Sequence, residues 1–259
     1  MEAGIFPLQA RELLWIWTTR QIKARYRQSL FGAAWAVFQP LALTAVFSLV
    51  FSYIVRVESE GIPYPIFVYS TMLPWIFFSR ALTAALSSIV ANMSLVTKVY
   101  FPREVLPIAT VAAHFVDFLC GFAVLLGMLA YYRVSPSPAM LLVPVILAVQ
   151  MILMVGLALG GAAANTFFRD VNQMVPLLLQ IWMYACPIIY PLSMVPLRLR
   201  HWYLMNPMAG IIDAYRQVIV KDALPDWYAL SAAAVVSIAV AIAGYLTFKR
   251  LEGQFADVI

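Results

Sequence analysis

Three ionisable residues lie within long apolar stretches of the chain, and they are the first candidates for chemistry: Arg80, His114 and Asp117. If these stretches lie in lipid, their charges are costly and should face a protein interior or water. His114 and Asp117 share one helical face because they are three residues apart. Two interpretations follow. Arg80 and Asp117 form an ion pair between neighbouring helices, since a long Arg side chain covers the difference between depths of about 27 Å and about 20 Å, or His114 and Asp117 form a proton relay.

No enzyme motif accompanies these residues. A Walker-type phosphate loop needs a Gly-Lys pair, and the chain contains no such dipeptide. The histidines and the two cysteines, Cys120 and Cys186, lack zinc-site spacing, and both cysteines lie in apolar stretches, as buried free thiols do. Neither His-Glu-x-x-His nor Gly-x-Ser-x-Gly occurs. The sequence predicts no catalytic residue, metal site or cofactor in this chain.

The composition of the whole chain excludes several classes of protein. Hydrophobic residues make up 64% and charged residues 11% of the sequence, against about 45–50% and about 25% in soluble domains. A soluble fold would lack polar residues for its surface, and a disordered chain would be far more charged. The net charge of +5 is typical of Lys and Arg gathered on the cytoplasmic side of a membrane, and we expect no nucleic-acid partner. We therefore predict an all-α membrane protein with a single domain over 1–259.

Six transmembrane helices are predicted from long apolar runs that carry no charge or are interrupted only by the residues named above, since a span needs about 20 mostly apolar residues. An even number of spans places both termini on one side, and the basic residues before the first span and after the last place that side in the cytoplasm. The predicted spans are 33–55, 63–92, 105–132, 139–166, 172–190 and 228–248, so that 33–190 holds helices one to five.

The segment before the first span, 1–30, is predicted to form an amphipathic helix at the cytoplasmic interface. Its apolar residues recur at helical spacing on one face, and a basic cluster occupies the rest. One interpretation is a membrane anchor that binds anionic lipid headgroups, and the other is a docking surface for a cytoplasmic partner. The residues of the basic cluster are Arg20, Lys23, Arg25 and Arg27.

The connection between predicted spans two and three mixes aromatic and charged residues and is interrupted by Pro102. It is either an ordinary turn or a compact contact for another protein. The contact candidates are Lys98, Tyr100, Phe101, Arg103 and Glu104.

The segment 191–226, between spans five and six, is too long and too apolar for a free loop. Asn206 can cap a helix whose first residue is Pro207. A helix of about 14 residues is about 21 Å long and cannot cross about 30 Å of hydrocarbon. It should lie flat at the outer surface or re-enter the membrane, as a lid for a pathway. The gate candidates are Asn206, Pro207, Asp213, Tyr215 and Arg216.

Aromatic residues concentrate in predicted spans one, two and five. They form either an interface belt with lipid-facing packing or a pathway lined by rings on which sugars stack. The channel-lining candidates are Trp35, Phe38, Phe47, Phe51, Trp182, Tyr184 and Tyr190. Gly156 and Gly160 form a Gly-x-x-x-Gly pair, which allows close helix packing within one subunit or between subunits.

Several stretches, in this order along the chain, resemble one family. They are Lys23-Ala-Arg25-Tyr26-Arg27-Gln28-Ser29-Leu30-Phe31-Gly32 leading to Trp35 and Gln39-Pro40; Lys98-Val-Tyr100-Phe101-Pro102-Arg103-Glu104; Phe168-Arg169-Asp170 followed by Pro187-Ile188-Ile189-Tyr190-Pro191; and Asn206-Pro207-Met208 followed by Arg216. From about residue 10 to the C-terminus, the chain resembles the permease subunit of bacterial type-2 ABC exporters for O-antigen, teichoic acid and related polysaccharides.

The resemblance implies a homodimer of six-helix subunits with two cytoplasmic ATPase subunits, which would bind the ATP and Mg²⁺. The substrate would be a polyprenyl-pyrophosphate-linked glycan, moved through a channel between spans one and five. The N-terminal helix and Lys98–Glu104 would meet the ATPases, and Asn206–Lys221 would correspond to external gate helices. The basic cluster would attract the pyrophosphate, or equally anionic lipid.

Other functions remain open from the sequence. Within the same family, the cargo could be teichoic acid, capsule polysaccharide or a small lipid or drug. An ion-coupled secondary carrier would use His114 and Asp117, although six helices without internal repeats argue against it. An intramembrane glycolipid-processing enzyme would need more acids or histidines than the spans supply.

Overall fold

A computed structural model describes residues 5–27, 34–54, 61–99, 101–135, 138–196, 198, 203 and 205–255, and this part of the chain contains helices and no strand. The all-α prediction is confirmed. The helices are α1 Ile5–Tyr26, α2 Ala34–Phe47, α3 Tyr64–Leu86, α4 Met93–Lys98, α5 Val105–Tyr131, α6 Val143–Phe167, α7 Val171–Tyr184, α8 Pro207–Val220 and α9 Trp227–Leu251.

Within the described residues, four helical segments are long and apolar enough to cross a membrane: Tyr64–Leu86, Val105–Tyr131, Pro138–Phe167 and Trp227–Gln254. They correspond to predicted spans two, three, four and six, so the chain is a multi-pass membrane protein. Predicted span one corresponds to α2 and the π-helical segment Ser48–Ile54 that continues it. The apolar helix there, Val37–Ser52, is shorter than the four helices of spanning length. The count of six spans stays a prediction.

Two predicted spans end earlier in the structure than expected. Helix α3 ends at Leu86 because the hydroxyl groups of Ser87 and Ser88 donate to the carbonyls of Ala84 and Ala85, in competition with further helix. Helix α7 ends at Tyr184, six residues before the predicted end. Pro187 follows closely, and a proline disfavours helical backbone in the residue before it.

Helix α3 is the centre of the fold. Most of its side chains are buried, and it packs against α2, α5, α6, α7 and α8. These contacts form the large core. A second, small core joins the ends of several helices to α1 through Trp17 and to the C-terminal turn through Phe255. Its remaining buried members are Ile89, Val96, Val105, Leu106, Ala109, Leu159, Ala162, Ala163 and Phe248.

Glycines allow α6 and α9 to touch along their backbones. A Cβ atom on Gly244 would overlap the carbonyl oxygen of Gly156, and one on Gly156 would lie 2.5 Å from the Cα atom of Ala241. The small-residue pattern on α6 therefore serves packing within one subunit. Helices α6 and α9 therefore pack directly against each other at this contact.

Candidate functional site

The start of α8 is attached to the end of α7 through Asn206. Its side-chain oxygen accepts hydrogen bonds from the Met208 amide (3.1 Å) and from the Trp182 indole (2.9 Å). Its side-chain nitrogen donates to the Ala185 carbonyl at 3.1 Å. Asn206 therefore caps α8, as the sequence predicts, and also fixes where α7 stops.

Arg216 of α8 is fully buried and holds the chain that leaves α7. Its guanidinium donates to the carbonyls of Ile188 (2.9 Å) and Tyr190 (3.1 Å) and lies 4.0 Å from the ring centroid of Phe67. We call these contacts, together with the Thr71 hydroxyl that also donates to the Ile188 carbonyl at 3.0 Å, the Arg216 clamp. Backbone that is not helical at membrane depth needs such internal partners.

A second polar contact joins α8 to the large core. The Tyr215 hydroxyl donates to the side-chain oxygen of Gln150 (3.0 Å), whose nitrogen donates to the Pro74 carbonyl (2.8 Å). Asp213 accepts a hydrogen bond from Gln217 at 2.6 Å. The structure buries both faces of α8, including Asp213 and Arg216. The helix is therefore enclosed by protein, as a re-entrant segment requires, and its role as a gate stays a prediction.

The predicted channel-lining aromatics differ in exposure in the structure. Trp182 packs edge-on against Phe78, with centroids 5.4 Å apart, and donates to Asn206. Tyr190 is hydrogen-bonded to the Tyr184 carbonyl and to the Tyr203 hydroxyl. Phe47 and Phe51 are partly buried and pack on each other. The three exposed members are Trp35, Phe38 and Tyr184.

Near the middle of α5, a polar cluster joins α1 to α5. Arg25 forms an ion pair with Asp117 at 2.5 Å, and its other nitrogen lies 3.2 Å from His114 Nδ1. The Tyr26 hydroxyl donates to the second Asp117 oxygen. Burial and the carboxylate beside it raise the pKa of Tyr26 to about 12. We call Arg25, Tyr26, His114 and Asp117 the Asp117 cluster.

The predicted partner of Asp117 was Arg80, whereas the direct ion pair in the structure is with Arg25. Arg80 lies on the same small cavity as His114 and Asp117, and its charge interacts with Asp117. Arg25 is not evident from the sequence as the partner of Asp117, because it lies outside the predicted spans. The hydrogen bond from Gln21 to Thr110, 2.8 Å long, shows that α1 runs along α5 and brings Arg25 within reach.

The residues of the basic cluster on α1 lie in two different environments. Arg25 faces α5, whereas Arg20, Lys23 and Arg27 are exposed. These three line an open groove of 530 Å³ on the outer face of α1, together with Trp15, Ile16, Thr19 and Ala24. Contact of this face with headgroups stays a prediction.

The contact candidates at the connection from α4 to α5 also lie in different environments. Lys98 is exposed and Phe101 is half-buried, while Tyr100 lies outside the described residues. Arg103 and Glu104 instead turn towards the end of α9: Arg103 donates to the Glu252 carbonyl, and Glu104 accepts from Lys249 at 3.0 Å. Whether this connection touches an ATPase stays a prediction. No group of three or more potential metal ligands lies together in the described part of the chain.

Comparison with known proteins places these features in a family. The model of the ABC-2 type transporter family matches residues 12–220. The chain is 32% identical to the O-antigen export system permease protein RfbA of Myxococcus xanthus, over 97% of this chain and 96% of that protein. It is 30% identical to RfbA of Klebsiella pneumoniae, over 96% of this chain and 95% of that protein. It is also 22% identical to the polysialic acid transport protein KpsM of Escherichia coli, over 90% of this chain and 91% of that protein.

Proposed function

The chain belongs to the ABC-2 type transporter family, and we propose that it is the permease subunit of an ATP-driven exporter that moves an O-antigen-like polysaccharide across the inner membrane. The observation that carries this proposal is the full-length similarity to relatives that are all named for polysaccharide transport. The higher identity to the O-antigen permeases than to the polysialic acid transporter favours an O-antigen-like cargo. A polyprenyl-pyrophosphate carrier for that glycan is part of the proposal.

The energy would come from two cytoplasmic ATP-binding cassette subunits, which would hold the ATP and Mg²⁺. The sequence of this chain has no phosphate-binding loop. The membrane subunit would therefore supply the pathway, and its partner would supply the chemistry. Both termini would lie in the cytoplasm, so that α1 and the α4–α5 connection are on the ATPase side.

The pathway would lie between two copies of this chain. Helix α7 exposes an apolar face that no other described part of the chain covers, and α2 exposes Trp35 and Phe38. A homodimer that places α2 of one copy near α7 of the other would enclose these faces and form a channel with aromatic walls. The exposed large residues of α7 are Met174, Leu177, Leu178, Ile181 and Tyr184.

Helix α8 would then close the outer end of this channel. It is too short to span the membrane, it is enclosed by protein, and it contacts the end of α7 through Asn206 and Arg216. A displacement of α7 would therefore displace α8 as well. Such an arrangement suits alternation between an open and a closed outer end.

Reconstitution tests the proposal. The chain should co-purify with an ABC ATPase, and lipid-linked glycan should stimulate ATP hydrolysis by the complex in proteoliposomes. Depletion of the chain in cells should cause lipid-linked glycan to accumulate, and mass spectrometry of that material would identify the cargo. A chain that is monomeric and indifferent to any ATPase would contradict the proposal. If collapse of the proton gradient stopped transport while ATP remained, the ion-coupled alternative would replace it.

A further inference from the structure

Four residues join the α4–α5 connection to the end of α9, and we call them the brace: Arg103, Glu104, Lys249 and Glu252. The Lys249 ammonium lies 2.9 Å from Glu104 and 3.1 Å from Glu252. Arg103 donates to the Glu252 carbonyl and, at 3.5 Å, to the Val96 carbonyl. The brace therefore connects parts of the chain that are 145 residues or more apart in sequence.

The brace lies at one end of α9, and the short helix α8 lies at the other end. A Cβ atom on Gly210 of α8 would lie 3.0 Å from the carbonyl oxygen of Ala229, near the start of α9. The Asp226 amide, just before α9, donates to the Gln217 side chain of α8 at 2.7 Å. Because a helix rises about 1.5 Å per residue, Ala229 and Lys249 are about 30 Å apart along the axis.

Helix α9 is suited to carry displacement between these two ends. It is one uninterrupted helix, and its backbone contacts that of α6 at Gly156 and Gly244. At the brace end, Phe248 and Phe255 are fully buried in the small core. Densely packed elements transmit displacement because they deform little.

We propose that Glu104 and Lys249 are positioning residues for coupling: the brace passes movement of the α4–α5 connection to α9, and α9 passes it to α8. The inference rests on the proposed function, because the movement would originate in the ATPase. It assigns Arg103 and Glu104 a role different from the ATPase contact predicted from the sequence. In this assignment, the exposed residues of the connection, such as Lys98, meet the partner, and the brace links that contact to the rest of the subunit.

The exposure of the ion pair explains why its loss should spare the fold. The side chains of Lys249 and Glu104 are 31% and 21% exposed, and partly exposed ion pairs contribute little to stability. Without the pair, the protein stays folded but the connection follows movement of α9 less closely, because only the Arg103–Glu252 hydrogen bond and the small core still join them. Coupling between distant sites then falls while each site stays intact.

The test uses the purified complex in proteoliposomes and compares glycan moved with ATP hydrolysed. Lys249→Met and Glu104→Gln each remove one charge of the pair. The matched control is Arg250→Met, which removes a positive charge from the adjacent, exposed residue. We expect both brace variants to keep ATPase binding, unfolding temperature and ATP hydrolysis, and to move about fivefold less glycan per ATP. Arg250→Met should behave as the unchanged protein does.

A double variant separates coupling from a general loss of function. Because both substitutions break the same ion pair, Glu104→Gln with Lys249→Met should be no worse than Lys249→Met alone. Loss of ATPase co-purification would make the brace a docking site and overturn the inference. Equal losses of transport and ATP hydrolysis, or no loss of transport, would overturn it as well. If the unchanged complex moves no glycan, the proposed function itself fails, which is a distinct result.

Discussion

Two arginines illustrate two ways in which this chain places a cation within the protein. Arg216 of α8 is fully buried, and its guanidinium is held by backbone carbonyls and by the face of Phe67. Arg25 of α1 is about a third exposed, and it is held by the carboxylate of Asp117. The partners of Arg216 are main-chain carbonyls and an aromatic ring, whereas the partner of Arg25 is a carboxylate side chain.

The difference indicates which contact is permanent. If the Arg216 clamp opened, it would leave carbonyls without partners in an apolar surrounding, at a cost of about 1–3 kcal/mol for each group. The Asp117 cluster is less buried, with side-chain exposures of 31% for Arg25 and 14% for Asp117, so opening it leaves its groups less completely without partners. We therefore expect the Arg216 clamp to act as a fixed part of the fold and the Asp117 cluster to allow α1 to separate from α5.

The largest effect is expected for Arg216→Met, which keeps the apolar stem and removes the guanidinium. The Tyr190 carbonyl loses its Arg216 donor and the Ile188 carbonyl keeps only the Thr71 hydroxyl, so stability should fall by about 3 kcal/mol. Arg216→Lys should lose less stability than Arg216→Met, because the ammonium keeps the positive charge. It should still lose some stability, since one ammonium cannot reproduce the planar pair of hydrogen bonds. Thermal unfolding of the detergent-solubilised protein measures both variants. A melting temperature for Arg216→Met equal to that of the unchanged protein would show that the clamp is not structural.

The next effect is expected for Asp117→Asn. The amide keeps the size and can still accept a hydrogen bond from Tyr26, but it loses its attraction for Arg25 and for Arg80. We expect a loss of about 1–2 kcal/mol, smaller than for Arg216→Met, together with weaker protection of α1 in hydrogen exchange. Exchange in α8 should not change, which serves as the internal control. Normal expression, transport and α1 exchange would show that the Asp117 cluster is unimportant.

The sequence predicts the features that depend on local pattern. Four of the six spans predicted from apolar runs are helices of spanning length in the described residues, and Asn206-Pro207 predicts the start of α8. These succeed because lipid imposes a length on each apolar run and because a cap acts on its own helix.

The contacts that determine the two arginine sites are not local. Nothing near Arg216 in sequence shows that α7 stops at Tyr184 and leaves carbonyls for it to bind. Likewise, Arg25 and Asp117 are 92 residues apart, and only the packing of α1 along α5 brings them together. The sequence does not reveal the brace for the same reason, since Glu104 and Lys249 are 145 residues apart.

A double-mutant cycle sharpens the comparison by asking which arginine serves Asp117. We expect Arg25→Gln and Asp117→Asn to be coupled by about 1 kcal/mol, because each removes the same ion pair. Arg80→Gln should show weaker coupling to Asp117→Asn, since Arg80 interacts with the carboxylate only from across the small cavity. Unfolding in detergent supplies the free energies. Stronger coupling for Arg80 than for Arg25 would restore the pair predicted from the sequence and contradict the docking of α1 on α5.

The smallest effect is expected for Tyr26→Phe, which removes one hydroxyl and leaves the ion pair intact. A hydrogen bond to a charged acceptor contributes about 1.5–3 kcal/mol when buried, but Tyr26 is only half-buried and water can replace it on Asp117. We therefore expect a loss of about 0.5–1 kcal/mol, within the usual range for a single hydrogen bond. The matched control is Tyr228→Phe, which removes the hydroxyl of an exposed tyrosine at the start of α9. A loss as large as that of Asp117→Asn would mean that the hydroxyl, and not Arg25, holds α1 in place, because the carboxylate and its ion pair are both retained in Tyr26→Phe.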